Sequence, residues 1–122
     1  MNERADRTLI VTIPGLAEKQ VEDLFEASDP VQIAEKRAFT GMEDFMIQVG
    51  IGIAIELGAQ AIIHATGLVQ RLITRARERK VQTITAVVPT KQGNVPVSLR
   101  LDAGPAAEQD FLNKIVNGLE QG

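Results

Sequence analysis

The sequence predicts an α+β fold: a small, mostly antiparallel sheet of about four strands, packed by a long central Gly/Ala-rich helix and two amphipathic helices. Three observations lead there. Short β-branched runs recur between turn residues. One long apolar stretch, Phe45 to Lys80, ends in a basic cluster. A C-terminal segment carries a regular helical stripe. The expected element order is β-α-β-long α-β-β-α. A chain of 122 residues is about one domain, long enough to bury a core without disulfides or metals. The domain is read as 1–122, with 1–7 a loose, polar N-terminus.

Thr8 to Ile13 (TLIVTI) reads as a strand stopped by Pro14-Gly15. Leu16 to Ala27 then spaces Leu16, Gln20, Val21, Leu24 and Phe25 along one helical face, and Ser28-Asp29-Pro30 ends it. Val31 to Phe39 is ambiguous. Asp29 before Pro30 suits a helix start. The alternation of Val31 and Ile33 around Gln32 suits a strand, which is the preferred reading.

Thr40-Gly41 marks a break, and the long helix is expected from Met42 to about Lys80. Glu43 and Asp44 suit the positive end of its dipole and the closing Arg and Lys the negative end. Gly50, Gly52, Gly58 and Gly67 each cost about 1 kcal/mol relative to Ala inside a helix, so a bend near Gly58 or Gly67 is as compatible as a straight rod.

Val81 to Val88 and Val95 to Leu101 form a hairpin across the Gly93-Asn94 turn. Pro96 removes a backbone donor, which places a free edge on its side. Asp102 to Pro105 opens the last helix, where Phe111, Leu112, Ile115, Val116 and Leu119 make the stripe.

Composition excludes some chemistry. There is no cysteine, hence no disulfide, thiol nucleophile or Cys-type zinc site, and a reducing cytoplasm is the expected location. The N-terminus lacks the order of a signal peptide. The net charge of −3 gives no global attraction to nucleic acid. With four Phe, no Tyr and no Trp, aromatic anchors are nearly absent.

Three readings compete for the apolar run Phe45 to Ile63. It is a buried core helix, or a self-association helix whose small residues Gly50, Ala54, Gly58, Ala61 and Ala65 let backbones approach, or a membrane span. Against the span, Gln48, Glu56 and Gln60 lie within it, and a central carboxylate costs roughly 2.5–3.5 kcal/mol on insertion scales. No Trp or Tyr belt flanks it.

Glu56, Gln60 and His64, spaced by four, share one face of such a helix. They are read as its polar edge in preference to a proton-sensitive or metal-assisting stripe, since His64 is the only histidine. Arg71, Arg75, Arg77, Arg79 and Lys80 form the one basic cluster. It suits a solvated helix end, with anionic lipid, nucleic acid or an acidic partner as functional readings. No aromatic is interleaved for base stacking.

Catalytic motifs are missing. Ser28 and Ser98 lie outside any G-x-S-x-G context, and Gly50-Ile51-Gly52 lacks the rest of a dinucleotide fingerprint. No catalytic, cofactor-binding or metal-binding residues are assigned, no cofactor is expected, and the chain is read as a non-enzyme.

The layout resembles the effector-associated constant component family of bacterial conflict systems. The resemblance rests on the opening TLIVTIPGLAEKQVEDLF, the stretch GIGIAIELGAQAIIHATGLVQRLITRARERK, the hairpin TITAVVPTKQGNVPVSLRL and the final AAEQDFLNKIVNGL. It departs in its long polar connection, Gln32 to Asp44, and in a helix end less dense in arginine. The resemblance implies a small non-catalytic component found with proteases, nucleotide-driven switch proteins and adaptor domains. No catalytic residue carries over.

Together these readings predict an adaptor or scaffold that forms a homo-oligomer through the Phe45–Leu72 helix, in a bacterial defence or signalling system. The alternatives are a membrane-acting effector that inserts helix 45–72 after a trigger, and a nucleic-acid accessory using Arg71 to Lys80.

Overall fold

The computed structural model describes residues 7–39, 45–56 and 58–121. Its elements are β1 (Arg7–Pro14), β2 (Val31–Phe39), β3 (Phe45–Ile55), α1 (Ala59–Glu78), β4 (Thr83–Thr90), β5 (Gly93–Arg100) and α2 (Pro105–Glu120). The expected loose terminus up to Asp6, and Thr40 to Asp44, lie outside the described residues.

The chain is α+β, as the sequence predicts, but the central helix is corrected. Its first third is strand β3. The run FMIQVGIGIAI alternates large β-branched residues with small or polar ones. Val49, Ile51, Ile53 and Ile55 are buried, while Gln48, Gly50, Gly52 and Ala54 are not. Period-two alternation with Val and Ile at every inward position is strand chemistry. Counting Gly and Ala as apolar hides it, because volume rather than polarity alternates.

The five strands form one antiparallel sheet in the order β2-β3-β1-β4-β5. β1 lies at its centre, with Leu9, Val11 and Ile13 opposite Ile53, Ile51 and Val49. All six side chains are fully buried and share one face. β1 and β2 are both antiparallel to β3, so they run parallel with β3 between them. β3 and β4 stand in the same relation across β1. The sheet thus contains two crossovers, Gly15–Pro30 and the segment holding α1.

Both helices cover the inner face. α1 buries Ala65, Leu68, Val69, Leu72, Ile73 and Ala76, and α2 buries Phe111, Leu112, Ile115 and Leu119. The predicted α2 stripe is therefore the packed face, except that Val116 is only half-buried. The helix expected at Leu16 to Ala27 is corrected to two single 3-10 turns, Glu18–Gln20 and Glu22–Leu24. Leu16 and Val21 are buried, and a crossover of this length needs no more helix to bring them over β3.

Gly58 begins α1 rather than bending it. Its φ of 117° is one that L side chains rarely adopt. No helix among the described residues is long and apolar enough to cross a membrane.

Two helical glycines make opposite predictions. A Cβ at Gly118 would meet Val88 Cγ1 at 2.7 Å, against a buried β-branched side chain, whereas a Cβ at Gly67 meets nothing within 4 Å. Gly118→Ala is expected to destabilise by about 1–3 kcal/mol through overpacking, despite its better helix propensity. Gly67→Ala is expected to stabilise by roughly 0.5–1 kcal/mol. Urea midpoints of the two variants, shifted in opposite directions from wild type, check this.

Candidate functional site

With both helices on one side, the other face of the sheet is left open by the described residues. Its centre is unusual in composition. Along β3 the outward positions are Gln48, Gly50, Gly52 and Ala54, flanked by Thr8, Ile10 and Thr12 on β1 and by Gln32, Ala34 and Lys36 on β2. β4 adds Thr83, Thr85 and Val87, and β5 adds Asn94, Pro96, Ser98 and Arg100. None of these positions carries a carboxylate, in a chain with 16 Asp and Glu. The glycines leave a hollow of about 330 Å³, bordered by Thr8, Ile10, Thr12 and Lys36. Ile10, 43% exposed, stands beside it.

The fold does not demand these glycines. A Cβ at Gly50 would come no nearer than 3.8 Å to the Ala34 carbonyl, and one at Gly52 would sit 3.4 Å from Thr8 Cγ2. Glycine in a strand gives up side-chain packing and costs entropy, and it marks places where a ligand or another backbone comes close.

The expected small-residue stripe is accordingly corrected. Gly50 and Ala54 lie on β3, Gly58 precedes α1, and Ala61 and Ala65 lie within α1, with Ala65 buried. They share no helical face. The Phe45–Leu72 helix proposed for self-association or insertion is not formed, because its first part is a strand inside the sheet.

The polar trio is likewise redistributed. Glu56 follows β3, while Gln60 and His64 lie on α1. All three nevertheless line one groove of about 600 Å³, with Ser28, Pro30 and Ala61. Here His64 Nε2 lies 3.2 Å from Asp29 Oδ1, and Asp29 Oδ2 accepts the Glu26 N–H at 2.8 Å. The Glu26 N–H, and then the His64 ring and the Arg71 guanidinium, hold the Asp29 carboxyl below its usual range, against the opposing effect of desolvation. An imidazole so paired can act as a base only toward a group aligned with its other nitrogen, and no hydrogen bond ties Ser28 to it among the described residues. The pair instead closes the crossover onto α1. No group of three or more His, Asp or Glu suited to a metal ion occurs among the described residues.

Three of the basic residues bond the chain's own acceptors, though Arg71 and Arg77 stay exposed. Arg75 donates to both Asp23 carboxylate oxygens at 2.9 and 3.0 Å, to the Gln20 carbonyl at 2.6 Å and to Glu78 at 3.2 Å. That fork lowers the Asp23 pKa and raises that of Arg75. Arg71 donates to the Leu24 carbonyl at 3.1 Å, and Arg77 pairs with Glu108 at 2.9 Å. Arg79 and Lys80 are exposed beyond the last turn of α1. Three of the five cations thus serve as ties within the chain.

Sequence reasoning marked Gly50 and Gly52 but missed the open face they belong to; the period-two spacing of Gly50, Gly52 and Ala54 is the signal that could have found it. No family model, curated protein or solved structure matches the chain.

The Asp29 tie predicts a pH dependence. Its folded pKa lies below the ordinary value of 3.8, so its contribution is present above that pH and is lost as pH falls through the lowered value. Asp29→Asn is expected to be less stable than wild type at pH 6, and the gap is expected to close as pH falls below about 4. Urea unfolding of both proteins across this range is the check; a gap that stays constant would remove Asp29 from the account.

Proposed function

We propose that the chain is a non-catalytic protein-binding component, an adaptor or scaffold, whose open sheet face around Gly50 and Gly52 receives a partner protein. The carrying observation is that neither glycine is required by the backbone or by crowding among the described residues. A cost in strand stability without an internal return is expected where something outside approaches. The absence of carboxylates and the exposed Ile10 support the same reading, since uncharged, partly apolar centres are what protein partners cover.

The resemblance to the effector-associated constant component family supplies the setting: a bacterial conflict or signalling system, with a protease or a nucleotide-driven switch protein as the partner class. The cysteine-free composition suits a cytoplasmic location. Nucleic acid is disfavoured by the use of Arg71, Arg75 and Arg77 within the chain and by the lack of aromatics to stack bases.

Gly50→Val separates docking from folding. It adds a β-branched side chain with room for its Cβ, so the domain is expected to gain up to about 1 kcal/mol. It also fills the hollow. Tagged wild-type and variant chains are recovered from the native cells with their bound proteins, with Gln70→Lys on the far side of the molecule as control. The expected result is a partner retained by wild type and control and lost from the more stable Gly50→Val. An identical set of proteins on all three chains would overturn the proposal.

A further inference from the structure

We infer that β5 pairs with β5 of a second copy of this chain, antiparallel about a two-fold axis at Ser98, so that two five-stranded sheets become one. The inference concerns the sheet's edge and stands independently of what the open face receives.

Hydrogen bonds outside the ladders establish which way each strand's backbone groups point. Ala54 N–H donates to Pro30 at 2.9 Å, so even-numbered β3 residues face β2 and odd ones face β1. Gly15 N–H donates to Ile47 at 2.7 Å, which turns odd β1 residues toward β3 and leaves Ile10 and Thr12 to bond Val87 and Thr85. Ala86 and Val88 therefore face β5, opposite Val97 and Val95. Leu101 N–H donates to Gln82 at 2.9 Å and extends that row. By alternation, Asn94, Pro96, Ser98 and Arg100 direct their backbone groups away from the sheet.

This free edge matches itself in one register. With the axis at Ser98, each Ser98 N–H meets the other copy's Ser98 carbonyl. Arg100 falls opposite Pro96, and its N–H meets the Pro96 carbonyl. Pro96 has no N–H to return, but the Arg100 carbonyl already accepts Ala103 N–H at 3.1 Å. The missing donor and the occupied acceptor cancel. An axis at Val97 leaves the Ser98 carbonyl facing a proline nitrogen, and an axis at Pro96 sets each Pro96 carbonyl against the other copy's proline nitrogen, with no hydrogen to share.

Side chains agree with that register. On the helix side Val95, 44% exposed, falls opposite Leu101 of the other copy, and Val97 opposite its Leu99. No two like charges meet, because Arg100 faces Pro96. The stretch 93–99 has no charged residue, whereas the other edge strand, β2, carries Glu35, Lys36 and Arg37. Charge is the usual guard against edge pairing, and β5 carries it only at its last residue, Arg100; its other guard, Pro96, is the residue that falls opposite Arg100 in this register.

The test is sedimentation velocity over a concentration series with the full chain and Ser98 variants, each checked for folding by urea unfolding. Ser98 is exposed, and its hydroxyl lies 3.3 Å from Thr85 Oγ1, so substitution is tolerable to the monomer. Wild type and Ser98→Ala are expected to dimerise. Ser98→Lys and Ser98→Glu, which set like charges across the axis, are each expected to raise the dissociation constant roughly tenfold or more, and mixing the two is expected to restore the dimer. A wild type that stays monomeric throughout, charged variants that dimerise like wild type, or a mixture no tighter than either alone would each overturn the pairing. A dimer lost in Ile10→Lys but kept in Ser98→Lys would also overturn it, and would place the second copy on the open face.

Discussion

The structure depends on one ladder being apolar on a single side. β1 and β3 meet over eight residue pairs, from Arg7 opposite Ile55 to Pro14 opposite Gln48. Every inward position of that ladder from Leu9 to Ile13 is a fully buried aliphatic residue. Every outward one is threonine, glycine or isoleucine. Only one face can therefore drive burial, and both helices must collect there. The order of strands follows, because each crossover has to leave β1 or β3 and return over the same face. No buried polar or charged residue interrupts the core among the described residues, so its stability rests on apolar packing, almost all of it aliphatic.

The first crossover shows how a weak element is held. Its two 3-10 turns bury no residue of their own, and the segment is anchored by Leu16 and Val21 at the core. Its rim is tied to α1 by Arg71, Arg75 and His64, which reach Leu24, Gln20, Asp23 and Asp29. The Arg75 side chain is 16% exposed while Asp23 is 65% exposed, so the fork sits at the boundary with solvent. Part of its Coulombic attraction is screened there, and its main effect is geometric: a bidentate pair fixes direction as well as distance. These ties account for part of a basic cluster that, in sequence, reads as a solvated helix end.

What could be read from the sequence follows from which physical signals are local. The hairpin of β4 and β5, the α2 stripe and the half-buried alternation of β2 are local patterns and are found, though the hairpin turn falls at Lys91-Gln92 and not at Gly93-Asn94, whose residues pair with Thr90 and Pro89. β3 was misread because its outward positions are small: Gly50, Gly52 and Ala54 register as apolar and as helix-spaced at once. The decisive term, β-branched residues at every second position, competed with the true helical pattern that begins at Ala59 and gave the whole run one period. The Leu16–Ala27 segment has a helical pattern in its apolar residues, yet its length is set by the crossover it must make, which no local signal reveals. The open face was equally hidden. It exists because five strands share one covered side, a property of topology rather than of any stretch of chain.

The edge and the face are chemically distinct surfaces, and the sheet relates them. Partners directly opposite in an antiparallel pair point to the same side. Joining two copies through β5 therefore leaves both glycine hollows on one side of the combined sheet and all helices on the other. Ser98, which meets its own copy across the axis, and Pro96, which meets Arg100, belong to that same open side. A partner presenting two matching elements would then meet two hollows held at fixed separation, and its second contact would form at the high effective concentration of a linked site. A chain with four phenylalanines and no other aromatic has little means of building one strong anchor. Repetition of a modest, uncharged surface by symmetry is the physical route by which such a chain can still bind tightly.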